Sequence, residues 1–307
     1  MDILLNKNKM KEEIEKILEE RPLLLDGAMG TMLQGQGLKS GDCPEKWNII
    51  NPQIVKKIHY DYINAGSDIV LTNTFGANRI KLNNYNIGAD VSSINESAVR
   101  ISREAITKSN HSHRKVYLAG SIGPTGKILE PYGELSFQKA YENYKEQVLI
   151  LAEEGIDLVI LETFYDLEEI KSALKAVKEN TDLMVIASMT FDKNLKTIYG
   201  ITPEKAAMTL EKEGADGIGA NCGTGPDIMY EVLKLMKKVS THYLLAEPNA
   251  GIPELVDGKI FYPASPKKMA DYAKKFKDLG IDMIGGCCGT TPLHVKAMFD
   301  KMNAISM

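Results

Sequence analysis

"EGIDLV", residues 154–159, writes a passage from helix into strand in six letters. A glycine closing an amphipathic run takes the positive φ of a helix C′ position, and the aliphatic pair behind the aspartate opens a buried strand. The same grammar returns as "AGSDIV" at 65–70, "EGADGI" at 213–218 and "LGIDMI" at 279–284. Gly66, Gly155, Gly214 and Gly280 are therefore expected to end helices, with an aspartate two positions later at the start of a strand. A recurring junction of this kind is the mark of an α/β chain with a parallel sheet.

Outward from these junctions, short aliphatic runs alternate with amphipathic stretches along the whole chain. The runs are "LLLDG", "DIVLTNTF", "VYLAGSIG", "LVILETF", "MVIASMTF", "GIGANC", "YLLAEPN" and "MIGGCC", eight in all. Between them lie helical patterns such as "PQIVKKIHYDYINAG" and "SPKKMADYAKKFKDLG". Eight strands alternating with eight helices is the barrel number, so the expected fold is a (β/α)8 TIM barrel. It is read as one domain over residues 22–307, preceded by an N-terminal helix over residues 1–21. The longest irregular stretches follow the first and seventh strands, on the face where barrel active sites are built.

Composition limits the function classes. Over 307 residues, 37 basic groups stand against 41 acidic ones, a net charge of −4 that gives no footprint for nucleic acid or an anionic membrane. No apolar stretch reaches the ~18 residues of a membrane span, and the charged N-terminus lacks a signal-peptide core, so a cytoplasmic protein is expected. Four cysteines in such a chain read as thiols, metal ligands or catalysts rather than as a disulfide framework.

In a barrel, the residues that end the strands meet at one mouth whatever their separation in sequence. Here they are Asp26 and Gly27, Asn73 and Thr74, Ser121 and Gly123, Glu162 and Thr163, Thr190, Asn221 and Cys222, Glu247 and Asn249, and Cys287 with Cys288. Three cysteines converging there suggest a catalytic zinc site with three thiolate ligands and its fourth position left open. Adjacent residues of a strand face opposite ways, so Cys287 and Cys288 can share one ion only if the glycines at 285, 286 and 289 turn the chain out of strand geometry. A vicinal disulfide, buried thiols or a single nucleophilic cysteine fit the spacing as well. Cys43, in the loop after the first strand, reads as a small buried hydrophobe. Asp26, Glu162 and Glu247 bring negative charge without a strand-end Lys or Arg, which suits a cationic group such as an α-ammonium better than a phosphate. None of the histidines is expected at the mouth: His59 and His294 fall on helices, and His111, His113 and His242 precede strands.

Taken together, "LLLDGAMGTMLQ", "LTNTFGANRIKL", "GSIGPTG", "ETFYDLEEIKSAL", "GANCGTGP", "AEPNAG" and "GGCCGTTPLHV" resemble the homocysteine S-methyltransferase domain. The nearest likeness is to the homocysteine-binding module of cobalamin-dependent methionine synthase, with betaine-homocysteine methyltransferase more distant. The resemblance runs from about Leu23 to about Lys301. It implies that Cys222, Cys287 and Cys288 bind Zn2+ with the homocysteine sulfur as fourth ligand, and that Glu162 holds the substrate ammonium. It further implies that Asp26 contributes to amino-acid binding. The glycine-rich turn suggests backbone N–H groups at Gly27 and Ala28 for the substrate carboxylate. Asn221, Glu247 and Asn249 are expected to position these groups.

No "D-x-H-x-x-G" corrinoid motif occurs, which leaves the methyl donor unassigned by sequence and leaves open that the chain is one module of a larger enzyme; the resemblance favours methylcobalamin on a separate corrinoid protein. S-methylmethionine, S-adenosylmethionine and betaine are the competing donors. A barrel lyase or hydrolase with a cysteine nucleophile is the alternative from another enzyme class, and a zinc reserve or redox sensor the non-enzymatic one.

Overall fold

In a computed structural model of the chain, residues 2–109, 114–256 and 259–304 are described. The expectation for His111 and His113 lies outside those residues. Helix α1 (Asp2–Glu20) leads into strands β1 (Leu23–Leu24), β2 (Ile69–Leu71), β3 (Tyr117–Ile122), β4 (Leu158–Phe164), β5 (Met184–Met189), β6 (Gly217–Asn221) and β7 (Tyr243–Glu247). A hairpin of β8 (Glu254–Val256) and β9 (Lys259–Phe261) follows, and β10 (Met283–Ile284) completes the large sheet. All pairings in that sheet are parallel, in the order β1-β10-β7-β6-β5-β4-β3-β2. A parallel bridge between Leu25 and Ile69 joins its two edges, so the eight strands form a nearly closed (β/α)8 barrel.

Helices α2 (Met29–Gly35), α3 (Trp47–Ile50) and α4 (Pro52–Ala65) come between β1 and β2. Then follow α5 (Arg79–Asn83), α6 (Val91–Lys108), α7 (Phe137–Glu153), α8 (Leu167–Asn180), α9 (Pro203–Lys212), α10 (Pro226–Lys237), α11 (Pro266–Leu279) and α12 (Pro292–Asn303). One long helix after each barrel strand covers the outside. The loops after β1 and β7, which the sequence leaves irregular, contain α2 and α3 in one case and the β8–β9 hairpin in the other.

The repeated junction has a physical reason. Gly66, Gly155, Gly214 and Gly280 all have positive φ. Each following aspartate forms a two-way pair with one residue of the neighbouring strand: its own N–H donates to that residue's carbonyl, and its carboxylate accepts that residue's N–H. Asp68 pairs in this way with Leu24, Asp157 with Leu118, Asp216 with Val185 and Asp282 with Leu244. The aspartates thus replace ladder bonds at the bottom of alternate strands and fix register where a buried N–H would otherwise lack a partner.

Inside the barrel, Leu23, Ile69, Tyr117, Leu158, Ile160, Met184, Ile186, Leu245 and Met283 form one apolar cluster. Ile14 and Leu18 of α1 complete it from below, so the N-terminal helix plugs the bottom of the barrel. Lys11 reaches Asp216 at 2.6 Å, and Glu13 accepts from Lys115 at 2.7 Å and from the Tyr117 hydroxyl at 2.9 Å.

Candidate active site

The period of two that fills the barrel with apolar side chains turns polar at the top. On β4 the inward series is Leu158, Ile160, Glu162; on β5 it is Met184, Ile186, Ser188; on β7 it is Tyr243, Leu245, Glu247. Above this layer opens a cavity of about 310 Å³. Asp26, Gly27, Ala28, Asn73, Ser121, Glu162, Thr163, Cys222, Glu247, Cys287 and Cys288 line it, together with Met29, Thr31, Glu45 and Phe75.

The cysteines reach the cavity because their strands end early. Strand β10 stops at Ile284, after which the N–H groups of Gly285, Gly286 and Cys287 donate to Ala246 O, Asp26 O and Pro248 O. The turn closes where Thr290 donates to Cys287 O through both N–H (3.1 Å) and hydroxyl (2.6 Å). A Cβ at Gly289, which has φ 82°, would stand 2.2 Å from the Tyr262 ring, so only glycine fits there. Cys222 follows β6 with φ 58° and is held by its N–H to Glu247 O at 2.9 Å.

The Sγ of Cys288 lies 3.9 Å from that of Cys222 and 4.0 Å from that of Cys287, and all three lie within 4.8 Å of one another. A disulfide needs ~2.05 Å, whereas three corners of a tetrahedron with ~2.3 Å metal–sulfur bonds stand ~3.8 Å apart. The spacing therefore fits one ion of zinc's size and ligand preference. Hydrogen bonds from Cys222 and then Cys287 hold the Cys288 thiol down to about 3. For Cys222, the lowering contact with Cys287 is outweighed by its bond to Cys288 and by burial, and it stands at about 12. The buried Oε2 of Glu247, on the wall of the same cavity, has no hydrogen-bond partner, and neither has the buried Oδ1 of Asn249.

Four carboxyl groups, those of Asp26, Glu45, Glu162 and Glu247, share the cavity with the thiols, and none of the lining residues is a Lys or Arg. Burial lifts Glu162 to about 7, opposed by the Ser121 hydroxyl, which donates to it at 2.5 Å, and assisted by Cys288. Burial also raises Asp26 far above the usual carboxylate range despite the Leu71 N–H at 3.0 Å. Glu247 is raised by burial and by the charges of Glu162 and Asp26. Such a site favours guests that bring positive charge.

Other expected residues stand elsewhere. Asn221 is fully buried behind the cavity wall, bonded to Thr163 and Ser188. Asn249 does not line the cavity; its N–H donates to Thr224 O. Thr190 is buried and donates to Asn221 O, and Thr74 donates to Ser121 O. The Ala28 N–H, a suggested carboxylate donor, is already given to Thr290 Oγ1 at 3.1 Å. Cys43 is buried beside Glu45, its thiol pushed up to about 12 by burial and by that carboxylate. His294 caps α12 and bonds Ala264 O. Sequence reasoning missed Ser188, which strand alternation could have supplied. It also missed Tyr262 and Tyr165, whose hydroxyls burial and the nearby thiols raise; these come from loops with no periodic signal.

Fold and site together define a (β/α)8 barrel enzyme with three thiols and four carboxyls gathered at its C-terminal mouth. Residues 23–302 match the family model described as homocysteine S-methyltransferase, and the chain belongs to that family. It is 32% identical over 292 residues to the methionine synthase of Mycobacterium tuberculosis and 31% identical over 303 residues to that of Mycobacterium leprae. Those alignments take in 91% and 95% of this chain but 24% and 25% of the relatives, so the chain spans about a quarter of their length. Among solved structures, the metallated homocysteine methyltransferase MmuM from Escherichia coli superposes with a TM-score of 0.79 at 23% identity, covering 93% of this chain and 98% of that one. That likeness speaks for the barrel fold.

Proposed function

We propose that this chain binds homocysteine through its sulfur and its α-ammonium and catalyses methyl transfer to the sulfur, giving methionine. The observation that carries the reading is the trio of thiols, spaced for one tetrahedral ion, at the floor of a cavity whose other charged groups are carboxyls. Cys222, Cys287 and Cys288 would hold Zn2+ and leave one position open. Bound there, zinc would make a coordinated thiol a thiolate at neutral pH.

The chain's own groups do the rest. Glu162, steadied by Ser121, faces the cavity as a carboxylate for the substrate ammonium, and Asp26 adds negative charge beside it. The enclosing walls hold the sulfur in one orientation, so the methyl group can approach in line from the open mouth. The homocysteine thiol gives up its proton to solvent, a carbon–sulfur bond forms as the donor's bond to the methyl group breaks, and the electron pair of that bond leaves with the donor. Among the described residues no histidine lines the cavity, which gives a cysteine-nucleophile hydrolase no imidazole base from them.

The donor in this reading is methylcobalamin on a separate corrinoid protein, and the enzyme works in the cytoplasm without membrane or nucleic acid. No helix among the described residues is long and apolar enough to cross a membrane. Among the described residues, exposed large apolar side chains gather on segments that follow strand ends, with Ile128, Tyr132 and Ile198 on loops and Leu255 and Phe261 in the β8–β9 hairpin. Such a rim suits a macromolecular donor better than a small sulfonium.

The test is metal analysis of fresh protein followed by zinc X-ray absorption during titration with L-homocysteine. One zinc per chain and a gain of one sulfur ligand are expected. No zinc, or zinc already held by four protein ligands and indifferent to homocysteine, overturns the reading.

A further inference from the structure

Asn86, Thr163, Leu195 and Cys222 are the non-glycine residues with positive φ among the described residues. Two of them, Thr163 and Cys222, meet at the cavity, and one buried side chain lies between them. Thr163 is β-branched and has φ 63°, a conformation such residues avoid. It sits in a bulge: β4 advances three residues from Leu161 to Phe164 while β5 advances two, from Ala187 to Met189. The extra residue comes directly after Glu162, at the point where that carboxylate is aimed into the cavity.

The side chain of Asn221 grips the bulge. Its Oδ1 accepts the Thr163 N–H at 2.8 Å and the Ser188 hydroxyl at 2.8 Å, and its Nδ2 donates to Thr163 Oγ1 at 2.7 Å. Its own carbonyl accepts from Thr190 Oγ1 at 2.9 Å, and the next residue is Cys222. Asn221 is fully buried and does not line the cavity, so these bonds serve the protein rather than a guest.

We propose that Asn221 is a positioning residue, a clamp that holds Thr163 in the left-handed conformation and so fixes Glu162 relative to Cys222. One amide thereby ties the carboxylate half of the site to the thiol half. The inference rests on the homocysteine reading only for what Glu162 holds; the clamp itself is a matter of backbone geometry. A glycine at 163 adopts the same φ without help, so the need for Asn221 vanishes when Thr163 is replaced by glycine.

Asn221→Ala, Thr163→Gly and the double variant form the test, each loaded with zinc and titrated with L-homocysteine by calorimetry, and each unfolded in urea. Asn221→Ala is expected to weaken homocysteine binding about tenfold while keeping its zinc, since all three thiols remain. Adding Thr163→Gly should bring binding back to within about threefold of wild type, a recovery that a general packing defect would not show. The unfolding midpoint of the double variant should lie above that of Asn221→Ala. If Asn221→Ala does not fold, Asn221→Ser, too short to reach both Thr163 groups, takes its place. Strict additivity of the two substitutions in unfolding, or, where the wild type binds homocysteine, a double variant that binds no better than the single, overturns the clamp. Coupled unfolding in a protein whose wild type ignores homocysteine upholds the clamp and overturns the homocysteine reading.

Discussion

Glu162 is placed by the simplest rule in the chain, strand alternation, yet its chemistry depends on what surrounds it. Burial holds its carboxyl near 7 without a guest, so much of it is protonated at neutral pH, and an arriving ammonium would pull it to the charged form. A charge-assisted hydrogen bond of this kind contributes about 1.5–3 kcal/mol. Glu162→Gln keeps the shape and loses the charge, so KM for homocysteine should rise about tenfold to a hundredfold with kcat within about threefold of wild type. Steady-state kinetics in homocysteine decide it: a collapsed kcat at unchanged KM would assign Glu162 to the transfer step instead of binding. That Glu162 faces inward was legible in "LVILETF", because Leu158, Ile160 and Glu162 share a face. The left-handed Thr163 behind it was not, because nothing local in the sequence marks a threonine for positive φ; the cause is Asn221, 58 residues away.

At the scale of elements, α1 belongs to the barrel core as much as any strand does. Ile14 is fully buried and Leu18 nearly so, both against the inward side chains of the strands. Ile14→Ala should cost about 2–4 kcal/mol of stability, read as a lowered urea midpoint, and a change below about 0.5 kcal/mol would mean that the plug contributes little. The contact between α4 and α6 carries a pH dependence. His59 is buried with its Nδ1 unpartnered and Nε2 at 3.1 Å from Ser102 Oγ, and burial lowers its pKa to about 4. The unfolded chain takes up a proton near pH ~6.5 that the folded chain refuses until about 4, so stability from this group is present above ~6.5 and is lost as pH falls toward 4. Between pH ~7 and ~5 the loss is about 2 kcal/mol. The raised carboxyls of Asp26, Glu162 and Glu247 act in the opposite direction, so the readout is the difference between wild type and His59→Leu. Urea unfolding at the two pH values should show the variant without that acid loss; equal slopes would place the titration elsewhere.

Across the whole molecule, the fold was legible because one junction repeats at four places, and the structure shows each aspartate of that repeat pairing with the strand beside it. The gathering of cysteines and carboxyls followed from the barrel alone, since strand ends converge whatever their sequence distance. What stayed hidden lies in loops: α2, α3, the β8–β9 hairpin and Tyr262 answer to tertiary contacts, not to a period. Those same loops raise the apolar rim, and the rim bears on the donor. Leu255 on β8 is 77% exposed and Phe261 on β9 is 53% exposed, both within the hairpin that stands after β7. Neither lines the cavity, so charging them should not disturb homocysteine. If methyl groups arrive on a corrinoid protein that seats on this rim, Leu255→Lys with Phe261→Lys should raise the KM for the protein-borne donor about tenfold or more. Transfer from free methylcobalamin, which needs only the cavity, should be unchanged. Activity with S-methylmethionine or betaine at full rate, and none with a methylcorrinoid protein in wild type or variant, would replace the corrinoid donor with a small one and leave the rim without that role.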